Sequence, residues 1–210
     1  MNRFVNRLHG EIRSGRAAKL FSAYGVAMAV AGLAALTELA GDPGRLALRY
    51  DREAIAAGEV WRLITGHLVH LGPSHLAMNV LALAILAFVL PALASWRLWL
   101  FSGLSSALCI DFGLLAFHPD VAWYVGLSGM LHGFWTAGVI LALHDRRFEA
   151  LPLAVLLLLK LGYEALLGPI PLSGEVAAGP VVAEAHAWGA AGGAAFACAA
   201  IAVRRRRRPL

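Results

Sequence analysis

Three short stretches of this 210-residue chain hold residues whose types and spacing can do chemistry: HLVHLGPSHLAMN, VGLSGMLHG and AHAWGAAGG. In the first, His75 and Asn79 are four residues apart and so share one face of a helix, with His70 just upstream. In the second, Ser128 and His132 repeat that spacing, and in the third His186 is followed by Gly189 and Gly193. A serine hydroxyl is a poor nucleophile until a neighbouring imidazole takes its proton, and Ser128 with His186 supplies the two types such a dyad needs. The oxyanion formed on attack needs donors, for which the His75 ring, the Asn79 amide and the Ser128 backbone N–H are suitable. Gly126, Gly129 and Gly133 around the serine, with Gly189 and Gly193 after the histidine, carry no side chains to hold two helices apart, so the dyad residues can approach.

The elements that must position these residues follow from composition. With 60% hydrophobic and 15% charged residues, and a mean hydropathy of +0.69, the chain cannot be wrapped into one soluble core. It reads as an all-α integral membrane protein. Runs of about 20 apolar residues span a bilayer as helices, and six occur, near 18–40, 73–94, 96–116, 122–143, 149–167 and 181–203. They nearly exhaust residues 1–210 and predict one six-helix bundle without a second domain. The first run follows the basic segment MNRFVNRLHGEIRSGRAAK; a cleaved signal peptide is the weaker reading, because the run is long for one and Glu38 falls at an awkward place for a small-residue cleavage site ending at Ala40.

Orientation follows from the short loops. Arg3, Arg7, Arg13 and Arg16 precede the first run with Lys19 at its start, Arg97 stands at the start of the third run, Arg146 and Arg147 lie between the fourth and fifth, and Arg204 to Arg208 follow the sixth, whereas 117–121 and 168–180 contain no lysine or arginine. Basic residues stay in the cytoplasm, so both termini are expected inside. The long 41–72 segment mixes Arg45, Arg49, Arg52 and Arg62 with four acids. All three polar clusters then fall toward the external ends of their runs and can meet in one cavity.

Other classes fare worse. The terminal run Arg204 to Arg208 abuts an apolar span and reads as a topology anchor touching anionic lipid, not as a nucleic-acid patch. Cys109 and Cys198 lie within apolar runs and read as packing residues. No HExxH signature accompanies His67, His70 and His75, so neither a metal nor another cofactor is expected. GLSG is not the G-x-S-x-G elbow of soluble hydrolases, since no strand precedes it. A small transporter relaying protons through buried histidines is the competing class, but no repeated halves are visible and the polar residues avoid the midplane. Lys160 and Glu164 form an i,i+4 pair within the fifth run, either tuning a gate beside that span or, the stronger reading, mutually neutralised. Glu184 points away from His186 on a helix, which leaves a dyad without a third acid.

Taken together, WRLITGHLVHLGPSHLAMN, GLSGMLHG and AHAWGAAGG resemble, in order and spacing, the rhomboid intramembrane serine proteases. The resemblance implies a six-helix rhomboid-like bundle that cuts transmembrane protein substrates within the lipid bilayer. It implies Ser128 as nucleophile, His186 as base, and His75 and Asn79 as oxyanion groups. Trp61, Arg62 and His70 are implied to be structural. With both dyad residues present, a catalytically dead binding protein is disfavoured. Many members carry an aromatic four residues after the serine, stacked on the catalytic imidazole, where this chain has His132. The short chain and GLSGMLHG are most similar to the rhombosortase branch, which implies a bacterial inner-membrane enzyme, a site opening to the periplasmic side, and substrates with a C-terminal Gly-Gly motif beside a single membrane helix.

Overall fold

A computed structural model describes residues 24–90, 95–171, 173–177 and 179–206. The elements run α1 (Tyr24–Leu39), α2 (Gly41–Leu48), β1 (Tyr50–Asp51), α3 (Arg52–Ala56), α4 (Arg62–Thr65), α5 (Pro73–Val89), α6 (Trp96–Phe117), β2 (Trp123–Tyr124), α7 (Ser128–His144), α8 (Leu151–Leu167), α9 (Ser173–Ala177) and α10 (Ala183–Arg206). The chain is mostly helical. Among the described residues, α6, α8 with its preceding turn, and α10 are each long and apolar enough to cross a membrane, and α1 with α2 makes a fourth candidate if their 118° bend is one broken span. Helix α5 is apolar but shorter.

Each of the six expected apolar runs holds a helix, with shifted limits. The 122–143 run departs most: α7 begins only at Ser128, and Trp123–Tyr124 pair antiparallel with Tyr50–Asp51, which corrects the expectation that no strand precedes GLSG, although the second glycine still follows the serine directly. Apolar residues in a short strand have no hydropathy that separates them from a span. The 73–94 run ends as helix at Val89, ahead of Pro91. Residues 18–23 of the first run and 91–94 of the second lie outside the described residues.

Helix α7 is the centre. Ten of its residues are buried, among them Leu131, Phe134, Ala137 and Leu141, and they pack with Leu83 and Leu86 of α5, Trp99 of α6 and Ala197 of α10. A second cluster at the serine end joins Tyr50, Ile110, Leu114, Tyr124 and Ala185. Helix α8 is peripheral, with only Leu157 and Glu164 buried. Its exposed Val155, Leu158, Leu159 and Leu166, like Phe88 of α5 and Leu108 of α6, suit a face turned to hydrocarbon, where outward apolar side chains cost nothing.

The 41–72 segment is tied down by buried polar groups. Arg62 is buried and donates to the Leu46 and Arg49 carbonyls and to Glu59, while the exposed Trp61 donates to the Ala47 carbonyl. Arg52 caps the C-terminal end of α6 through the carbonyls of Leu114, Leu115 and His118. These are structural contacts.

Candidate active site

Ser128 is the first residue of α7, and the backbone before it is held on both sides. The Gly126 N–H donates to the Gly66 carbonyl at 3.1 Å, and the Tyr124 hydroxyl donates to the Gly126 carbonyl at 2.6 Å. Gly126 has φ +120°, a conformation open to glycine and strained for other residues. A Cβ there would also stand 3.1 Å from His75 Nε2 and 3.9 Å from Ser128 Oγ, so bare backbone separates the serine from the His75 ring.

His186 reaches Ser128 from α10: its Nε2 lies 3.0 Å from Ser128 Oγ. That approach depends on helix contact at the level of the backbone. A Cβ on Gly189 would collide with the Gly129 carbonyl, and one on Gly193 with the Gly133 carbonyl. The glycines set out by the sequence thus face each other pairwise between α7 and α10.

The remaining expected residues assemble around this pair. Leu71 N–H donates to His75 Nδ1 at 3.4 Å, which leaves the ring proton on Nε2, the nitrogen turned toward Gly126. Asn79 Nδ2 donates to the His75 carbonyl at 2.9 Å, and an amide nitrogen carries a second N–H. His70 sits behind them, edge-on to His75 with centroids 4.9 Å apart; its Nδ1 donates to the Leu68 carbonyl, and its own carbonyl accepts from Arg45. Burial, with His75 alongside, pushes the His70 pKa down to about 4. His132 Nδ1 donates to the Ser128 carbonyl at 2.7 Å, and its ring stacks on His186.

One arrangement was left open by the chain and one was hidden in it. His132 takes the stacking place that the resemblance gives to an aromatic. Glu164, read from spacing as a partner for Lys160 alone, bonds that ammonium through Oε1 at 2.7 Å and accepts from His186 Nδ1 through Oε2 at 2.9 Å. The expectation of no acid beside His186 is corrected: the acid comes from α8, 22 residues before the histidine, beyond any local spacing rule.

Ser128, His186, His75, Asn79, His132, Lys160 and Glu164 all line one cavity of about 660 Å³. Its apolar lining includes Met78, Ala82 and Ile85 of α5, Leu153 and Leu156 of α8, and Ile170 and Pro171. The three histidines first weighed as metal ligands do not converge, since His67 turns to Asp111. His132, Glu164 and His186 do offer ligand atoms within 4.8 Å of one another. The Lys160 ammonium on Glu164 opposes a cation there, and the His186 nitrogens face Ser128 and Glu164, so the cluster is a hydrogen-bonded chain.

A family model described as the Rhomboid domain matches residues 57–203, more than half of the chain. No curated protein matches it.

Proposed function

The chain belongs to the rhomboid family of intramembrane serine proteases, and from that premise we propose that it cuts membrane-anchored proteins through a covalent Ser128 intermediate. The observation that carries this reading is the 3.0 Å approach of Ser128 Oγ to His186 Nε2 in a cavity that His75 and Asn79 also line. His186 takes the hydroxyl proton as Oγ attacks the scissile carbonyl, then delivers it to the departing amine. Water, activated by the same imidazole, resolves the acyl-enzyme. The oxyanion accepts from His75 Nε2–H, from the Asn79 amide and from the Ser128 N–H, which as the first of its helix has no intrahelical partner.

We infer six spans with both termini inside, a topology that puts this site toward the external side of a bacterial inner membrane. Helix α7 has 17 residues, about 25 Å at 1.5 Å per residue, against a hydrocarbon layer of about 30 Å. A serine at its outer end is therefore recessed. Substrate reaches it laterally between α5 and α8, whose side chains form the apolar walls.

A recessed serine acts on backbone that is already extended. Glycine disfavours helix by about 1 kcal/mol relative to alanine and brings no side chain into a narrow cavity, so a Gly-Gly junction just outside a substrate's single membrane helix suits this site, as rhombosortase-like specificity requires. Coexpression with a tagged Gly-Gly-tailed membrane protein, followed by mass spectrometry of the product, is expected to show a cut near the junction, lost when both glycines become valine. Equal cleavage of the Val-Val substrate would reject this specificity and leave the broader protease reading standing.

A further inference from the structure

We propose that Glu164 is a positioning residue of this reaction: its carboxylate holds the His186 imidazole in the tautomer and orientation that Ser128 requires, so serine, imidazole and an α8 carboxylate form one chain. The inference rests on Ser128 and His186 being the reacting pair.

The geometry admits one proton arrangement. A carboxylate 2.9 Å from Nδ1 fixes the ring proton on that nitrogen, because an ionised carboxylate only accepts. Nε2 is left with its lone pair toward Ser128 Oγ at 3.0 Å. Without the acid, the neutral ring could carry its proton on Nε2 instead, and that tautomer cannot accept the serine proton. When His186 becomes an imidazolium during attack, the same carboxylate faces the new charge inside a site where water screens little.

Among the described residues, the groups facing His186 leave no other candidate for this task. From α7 come Ser128 and His132, whose Nδ1 is engaged by the Ser128 carbonyl. From α5 comes His75, whose Nδ1 is engaged by Leu71 N–H. From α6, Asp111 turns to His67 instead. From α8 come Lys160 and Glu164, and the lysine occupies Oε1 while leaving Oε2 to the imidazole. A pair serving only its own neutralisation could sit on the exposed face of α8, whose residues are largely exposed; Glu164 is instead turned inward and buried. Lys160 keeps the buried carboxylate compensated and oriented, which a lone buried anion would not be.

The test uses the full chain in detergent and the rate at which a fluorophosphonate probe phosphonylates Ser128 with loss of fluoride, followed across pH together with thermal unfolding. Ser128→Ala is expected to abolish labelling; labelling that persisted would overturn the underlying dyad, whatever Glu164 does. Glu164→Gln is expected to slow labelling roughly 10²-fold or more and to move the acid limb of the rate profile to lower pH, because the imidazolium loses its neighbouring anion. Glu164→Asp, which keeps the charge, is expected to recover part of the rate with the limb near its original place. A Glu164→Gln variant that labels at the original rate with an unmoved limb overturns the proposal. So does a slower rate that tracks lost thermal stability in both variants while the limb stays in place, since Glu164 would then only anchor α8.

Discussion

His132 lies flat against His186, with ring centroids 4.2 Å apart and planes 20° from parallel. Its Nε2 is buried without a hydrogen-bond partner among the described residues, so stacking and the Nδ1 bond to the Ser128 carbonyl are what the ring provides. His132→Phe keeps the stack and removes the orphaned nitrogen; it is expected to retain turnover within about threefold and unfold no earlier. His132→Ala is expected to lose about 2- to 12-fold in kcat/KM, the equivalent of a 0.5–1.5 kcal/mol ring pair. Equal rates in all three proteins would remove the stack from the mechanism.

The Ser128–His186 contact predicts a nonadditive pair. Ser128→Ala and His186→Ala are each expected to abolish cleavage with the protein still folded, and the double variant to be no worse than either. EDTA is expected to leave cleavage intact. Activity lost to chelation and restored by zinc would instead make His132, Glu164 and His186 a metal site.

Replacing an oxyanion donor acts on the barrier more than on substrate binding. His75→Ala and Asn79→Ala are each expected to lower kcat by about 10²- to 10³-fold, with KM little changed, in steady-state assays of the purified protein. A change confined to KM would assign these side chains to substrate binding.

His70 carries a pH dependence of stability. Its folded pKa of about 4 lies below the ordinary 6.5, so between these values the unfolded chain binds a proton that the folded chain does not. Stability is therefore complete above about pH 6.5, falls as pH drops, and stops falling below about 4, a total of at most about 3 kcal/mol from this residue. Thermal unfolding in detergent from pH 4 to 8 is expected to show that slope, and His70→Gln to flatten part of it. An identical slope in the variant would assign the effect to other groups.

Residue spacing reveals the groups that share one helix face, and it brought Ser128, His132, His75, Asn79 and His186 into view because each is a costly polar group in an apolar run. The same logic concealed Glu164. Lys160, four residues away, offered a complete local partner, so nothing in the chain called for a second one across the bundle. The start of α7 was hidden for the opposite reason: Trp123, Tyr124 and Val125 are apolar enough to extend a span, and a two-residue strand is too short to show a period. The α1–α2 bend does leave a trace, in Gly41 and Pro43, but hydropathy alone does not set its angle.

The glycine contacts between α7 and α10 have an evolutionary consequence. The atoms opposite Gly189 and Gly193 are carbonyl groups of Gly129 and Gly133, and every amino acid carries that carbonyl. A methyl group added at either position thus meets something no compensating substitution can trim, unlike a clash in a side-chain core, where a smaller neighbour restores the fit. Suppressor screens on Gly189→Ala or Gly193→Ala should return reversion to glycine in preference to second-site repair, and lineages carrying this site have few mutational paths away from those two positions.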